Sequence, residues 1–95
     1  MKLTWSKESL RQLIEIENFI ALDNPGRAEK FIIKVIDRGE GIKEFPYKGR
    51  MVPELLNPEI REVFEKNYRI VYRISENQIE ILTVFEGHKL LNLGL

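Results

Sequence analysis

Ninety-five residues carry fifteen basic and fifteen acidic side chains and no cysteine. That length suits one small domain spanning 1–95, and the missing thiols exclude disulfides and thiolate metal sites. The charges also cancel within each half of the chain, so the overall basic excess usual in a nucleic-acid binder is absent, although a local basic patch is still allowed. No run approaches the roughly 18 uncharged apolar residues of a membrane span. The opening Met1-Lys2-Leu3-Thr4-Trp5-Ser6-Lys7 lacks a signal-peptide core, so no membrane association and a cytoplasmic location are expected.

Leu3 to Trp5 reads as a short first strand. Ser6 then offers an N-cap, with Glu8 in the first turn, where the helix dipole favours an anion. Leu10, Leu13, Ile14, Ile20 and Ala21 recur at helical spacing, with Ile16 widening the stripe, so all are expected on the core side. Arg11 and Glu15 form an i,i+4 pair on the wet side. Asp23-Asn24-Pro25 interrupts and restarts the chain, with Asp23 or Asn24 as cap and Pro25 at the first helical position. Ala28, Phe31, Ile32, Val35 and Ile36 form the stripe of a second helix, and Ile42 continues it. Gly39 and Gly41 each cost about 1 kcal/mol relative to alanine in a helix interior, so the last turn is expected to fray or bend before Phe45-Pro46 ends it.

Residues 46–58 hold three prolines and Gly49 and read as a loop. The remainder reads as a three-stranded meander over about 59–65, 68–75 and 78–86, turning at Lys66-Asn67 and Glu76-Asn77. In the second of these strands Tyr68, Ile70, Tyr72 and Ile74 point one way, and Arg69, Val71 and Arg73 the other. The tyrosines are expected in the core with their hydroxyls at its rim. Apolar residues on both sides of the last strand predict a central position. The order β-α-α-β-β-β predicts an α+β fold, a two-helix antiparallel hairpin on one face of a small antiparallel sheet, with the other face open for binding. The tail from His88 to Leu95 is unusually apolar.

Chemistry-bearing residues are few. One histidine and no cysteine give no metal-binding set, no glycine-rich phosphate loop follows Gly39-Glu40-Gly41, and no serine occupies a nucleophile elbow. No cofactor is expected. His88, after Gly87 at the end of the last strand, reads either as a general acid or base or as a surface histidine beside a turn. Arg61, Arg69, Arg73 and Lys89 read either as an anion site converging on the open face or as cations paired with Glu62, Glu80 and Glu86. Arg50 reads as a loop cation that pins the loop by hydrogen bonding.

The chain resembles the ParE/RelE superfamily of bacterial toxins from type II toxin–antitoxin modules. The resemblance runs from the first helix through Asp23-Asn24-Pro25, Phe45-Pro46 and Gly49-Arg50-Met51-Val52-Pro53-Glu54-Leu55. It is strongest in Ile60-Arg61-Glu62 and Asn67-Tyr68-Arg69-Ile70-Val71-Tyr72-Arg73-Ile74, and closes at Val84-Phe85-Glu86-Gly87-His88-Lys89. It implies a growth-inhibiting toxin neutralised by a cognate antitoxin, as a homodimer or a toxin–antitoxin hetero-oligomer. RelE-like members cut messenger RNA on the ribosome, and ParE-like members inhibit DNA gyrase. By the same resemblance the superfamily's sheet arginine falls on Arg69, a second cation falls near His88 or Lys89, and a RelE-like lysine falls on or near Glu62. The RelE-like C-terminal tyrosine has no counterpart after Tyr72. A ParE-like gyrase inhibitor binding through Arg61, Arg69, Arg73 and Lys89 is therefore the preferred expectation. The alternatives are an endoribonuclease using His88 with Arg61, Arg69 and Lys89, and an inactive homologue that only binds antitoxin.

Overall fold

The computed structural model describes residues 1–89 and 91. Strand β1 (Lys2–Trp5) leads into helices α1 (Lys7–Ala21) and α2 (Pro25–Glu40). Two 3-10 turns (Gly41–Glu44 and Pro46–Lys48) and the two-residue strand β2 (Arg50–Met51) follow, then β3 (Ile60–Glu65), β4 (Tyr68–Ser75) and β5 (Gln78–Glu86). The order and class match the α+β expectation. Local chemistry explains the helix starts: the Ser6 side chain accepts from the Ser9 amide at 3.0 Å, and Asn24 Oδ1 accepts from the Arg27 amide at 3.0 Å with Pro25 opening α2.

The five strands form one sheet in the order β1-β5-β4-β3-β2. The meander pairs antiparallel as expected, but β1 runs parallel to β5, with Leu3 beside Ile79 and Trp5 beside Ile81, so the sheet is mixed. β5 is internal along this stretch, in line with its two-sided apolar pattern. A register shift between Val71 and Tyr72 leaves Leu82 as the extra residue on β5. Beyond Trp5, β5 loses its β1 neighbour, and α1 takes over on that side. Ser6 Oγ donates to the Leu82 carbonyl at 2.9 Å, the Val84 amide donates to Gln12 Oε1 at 2.7 Å, and Gln12 Nε2 donates to Thr83 Oγ1 at 2.8 Å.

Beneath the helices, Val63, Ile70, Tyr72, Ile74, Ile79, Ile81 and Val84 of the sheet pack against Leu13, Ile32, Val35 and Ile42. Tyr72 is buried and its hydroxyl donates to the Pro46 carbonyl at 2.6 Å, while Tyr68 is half-buried against Phe31. Both tyrosines follow the expectation. Leu10 and Ile14 do not: they are 48% and 60% exposed. The inward stripe of α1 is rotated to Ser9, Gln12, Leu13 and Ile16, because Ser9 and Gln12 serve the ends of β1 and β5.

Gly39 differs from its sequence reading as well. It lies within regular helix and buried, and a Cβ built there would come within 2.5 Å of the Trp5 ring. Glycine is needed for close helix-to-strand approach, while Trp5 Nε1 donates to Glu40 Oε2 at 2.7 Å alongside. Gly41, where the helix passes into the 3-10 turn, has open space around it and ordinary helical dihedrals. The two glycines therefore respond oppositely to substitution. In urea unfolding, Gly41→Ala is expected to stabilise by about 0.4–1 kcal/mol, whereas Gly39→Val destabilises by about 1–3 kcal/mol through overpacking against Trp5.

Candidate functional site

The sheet face away from the helices is not open. Val52, Ile60 and Val71 are buried there, with Leu55, Phe85 and Leu91 packed around them. The segment after β2 folds back across the sheet. The Leu55 and Leu56 amides both donate to the Val52 carbonyl, and the Ile60 amide donates to the Asn57 carbonyl. Leu90 and 92–95 of the apolar tail lie outside the described residues.

Arg69 lies at the centre of this covered face. The alternation of β4 places it beside Val71, and the register sets it opposite Phe64 on β3 and Phe85 on β5. It is 4% exposed. Its Nε donates to Glu62 Oε1 at 2.6 Å, and its two terminal nitrogens donate to the two Glu54 oxygens, each at 2.8 Å. The Phe85 ring stacks on the guanidinium at 5.0 Å. Glu62 is fully buried and takes a second cation from the other side, Arg50 Nε at 2.5 Å. Two carboxylates and two guanidiniums thus form a chain, Glu54–Arg69–Glu62–Arg50, of zero net charge. The bidentate hydrogen bonds from Arg69 hold the Glu54 carboxyl down at about 2, and those same bonds raise the Arg69 guanidinium.

The expected exposed guanidinium surface is therefore corrected at Arg69, whose donors are directed to internal carboxylates. The expected convergence of Arg61 with Arg69 is corrected too. Arg61 pairs with Tyr72 and points to the opposite sheet face, because it lies an odd number of positions along β3 from Phe64. There Arg61 pins the loop, donating to the carbonyls of Pro58 at 2.9 Å, Gly49 at 3.1 Å and Tyr47 at 3.3 Å while stacking on the Tyr47 ring. Gly49 makes this closure possible, since a Cβ there would lie 2.2 Å from the Tyr72 hydroxyl. Arg73 is exposed near the other end of β4, between Ile60 and Glu80 in register and about 13 Å along the strand from Arg69. His88 and Lys89 are exposed beyond β5, with His88 Nδ1 3.6 Å from Glu86 Oε1.

Pairing with Glu62 was one of the two sequence readings of the arginines, and it describes Arg69. Glu54 as a partner was missed. Its signal was slight: a carboxylate in a proline-bounded apolar segment, Val52-Pro53-Glu54-Leu55, which burial would leave in need of a cation. Arg50 does pin the loop, through Glu62 rather than through a carbonyl.

A small α+β fold, with two helices over a mixed sheet and a buried β4 arginine, is the class this geometry defines. The family description "ParE toxin of type II toxin-antitoxin system, parDE" matches residues 3–91, and the chain belongs to this family. A protein of Sinorhizobium fredii (strain NBRC 101917 / NGR234), named "Putative toxin Y4kP", is 31% identical over 93 residues, spanning 93% of this chain and 90% of that one. A solved chain described as "Chromosomal ParDE TA system from P. aeruginosa" superposes with a TM-score of 0.76 at 20% identity, covering 90% of this chain and 95% of that one. That likeness establishes the shared fold.

Two outcomes test the ion-pair chain. Arg69→Ala leaves Glu62 with Arg50 alone and frees Glu54, and it is expected to destabilise the fold by about 3 kcal/mol in urea unfolding. The Glu54 carboxyl is held below its ordinary value near 4.5, so it binds fewer protons in the folded state than in the unfolded one. Its contribution is complete above pH 4.5 and is lost as the pH falls toward 2. Glu54→Gln should accordingly flatten the slope of stability against pH within that window, read by thermal melting at fixed pH values.

Proposed function

We propose that this chain is a growth-inhibiting toxin that acts by binding a protein target, DNA gyrase, in the cytoplasm, and that a cognate antitoxin silences it in a hetero-oligomeric complex. Membership of the ParE family supports the toxin reading. The observation that carries the non-enzymatic mechanism is the separation of the would-be ribonuclease set. Phosphodiester cleavage by an adjacent 2′-hydroxyl needs a base, an acid and cations around one phosphate. Here Arg69 is neutralised by Glu54 and Glu62, Arg61 faces the other side of the sheet, and His88 stands in solvent beside Glu86. By the resemblance, a RelE-like lysine falls on or near Glu62, a carboxylate that completes the internal ion-pair chain. Arg73 and Lys89, both exposed, remain as target-facing cations on this reading. The ParDE description of the superposed chain further supports an antitoxin partner.

Inducing the chain in a bacterial host and following messenger RNA by primer extension and plasmid supercoiling by gel separates the mechanisms. The expected result is loss of supercoiling with no position-specific cuts, and undiminished growth arrest by His88→Ala. Position-specific cuts that His88→Ala removes would replace this reading with an endoribonuclease. No growth arrest from the folded chain would leave only an antitoxin-binding homologue.

A further inference from the structure

The outermost strand on the β3 side of the sheet is only two residues long. β2 pairs with Glu62 and Arg61 alone, so Val63–Glu65 of β3 has no strand beside it on that side. Side chains from three elements gather along this unfinished edge. Arg38, near the end of α2, donates from Nε to the Phe64 carbonyl at 3.2 Å. Arg50 of β2 lies over the Phe64 ring, its guanidinium carbon 5.3 Å from the centroid. Arg61 of β3 stacks on Tyr47 at 5.1 Å, and Lys48 Nζ stands 5.7 Å from the Phe45 ring. Burial raises the Tyr72 phenol, and the Gly49 backbone and then the charges of Arg61 and Arg38 oppose that rise. Both guanidiniums thus stand within electrostatic reach of one hydroxyl.

The charge of this edge is not answered from within. Among the described residues, Arg38, Lys48 and Arg61 have no carboxylate within ion-pair distance. Asp37, Glu44 and Glu59 are exposed nearby in the chain and pair with none of them. Glu62 points to the sheet face opposite Arg61, where Arg69 and Arg50 share it. Arg38 also closes a row of cations along α2, with Arg27, Lys30 and Lys34, at i, i+3, i+7 and i+11 on one helix face. In a chain of zero net charge, the edge is a local excess of one sign.

Apolar carbon is exposed beside these cations. Phe45 is 66% and Tyr47 58% exposed, and Met51 and Phe64 are exposed as well. The turn that carries the rings is held in place. Arg61 clamps it at the Tyr47 and Gly49 carbonyls, the Tyr72 hydroxyl donates to the Pro46 carbonyl, and the Lys48 amide donates to the Phe45 carbonyl at 3.0 Å. A surface set in advance loses little freedom when it is covered. Aromatic rings, methionine and arginine are also the side chains enriched where proteins meet proteins.

We infer that this edge is where the toxin meets its protein target, and that the target offers it an acidic segment with exposed apolar side chains. Carboxylates of the target face Arg38, Lys48 and Arg61, and its apolar side chains lie on the exposed rings. The inference rests on the protein-target reading above and adds to it a location and a charge. The uncompensated cations set the sign of the occupant. A nucleic-acid strand fits less well. Arg61 spends its donors on carbonyls and Arg50 and Arg38 spend Nε on Glu62 and Phe64, so what they present outward is charge and flat carbon-lined faces.

The test uses the full chain and purified DNA gyrase, reading supercoiling inhibition by gel and binding by calorimetry. An Arg38→Glu/Lys48→Glu variant is compared with a Lys2→Glu/Lys7→Glu control of the same net charge, altered at and beside β1, the opposite edge of the sheet. Both are first shown to melt like the unsubstituted chain; should the edge variant melt lower, the corresponding glutamine pairs replace the glutamates. The edge variant is expected to need about tenfold or more protein for half-inhibition and to bind correspondingly weaker, while the control changes little. Hydrogen exchange on the unsubstituted complex is expected to protect 45–51 and 61–65. Equal potency of the two variants, or protection confined to other segments, would overturn this inference and leave the gyrase reading standing. If the unsubstituted chain neither binds nor inhibits gyrase, both fall. A last arm measures anisotropy with a fluorescein-labelled twelve-residue oligothymidylate and no gyrase. Binding of that probe, lost in the edge variant while gyrase affinity is unchanged, would assign the edge to nucleic acid instead.

Discussion

The fold depends on a carboxylate placed where water cannot reach it. Glu62 is fully buried on an internal strand, and an uncompensated charge in such a place would cost several kcal/mol. Two guanidiniums answer it. Arg69 comes from the neighbouring strand, and Arg50 comes from the short edge strand beyond. Arg69 has donors to spare, and they are met by the bidentate carboxylate of Glu54. That last contact lies in the segment after β2 and ties it across the sheet, with Val52 and Leu55 covering Ile60 and Val71. Buried ion pairs contribute little net stability compared with well-packed hydrocarbon, but they are costly to half-break, so they select one arrangement. Here they select where a proline-bounded loop lies.

This arrangement separates Arg69 from surface recognition. A guanidinium with stacked Phe85 and three charge-assisted hydrogen bonds has little left to offer a ligand. What the molecule presents instead is a helical hairpin with apolar residues on its outside, among them Leu10, Ile14 and Ile33, and a basic row along α2. Architecture is thus concentrated in one layer: the sheet and its loop hold the structure, and exposed apolar and basic side chains lie on the helices.

The elements were legible because they rest on local rules. Ser6, Asn24 and Pro25 are helix starts by their hydrogen-bonding and dihedral chemistry, and the alternation through Tyr68 to Ile74 fixes which residues of β4 share a face. What was not legible depends on distant partners. Arg69 and Glu54 are fifteen positions apart, and nothing local says that they meet. Counting from each strand separately could not show that Arg61 and Arg69 face opposite sides, because that parity is set by the β3–β4 register. Gly39 reads locally as a helix weakness, but its role comes from Trp5, thirty-four positions earlier in the chain. Leu10 and Ile14 fit the helical period, yet lie outward because Ser9 and Gln12 are held at the sheet edge.

The capping of β5 by Gln12 has a consequence for the molecule outside any complex. Past Trp5, a row of backbone groups would otherwise stand ready to template another chain's strand. One carboxamide occupies the Val84 amide and the Thr83 hydroxyl, and the body of α1 stands over the same stretch. Lateral polymerisation is thereby discouraged by a single side chain rather than by an added strand.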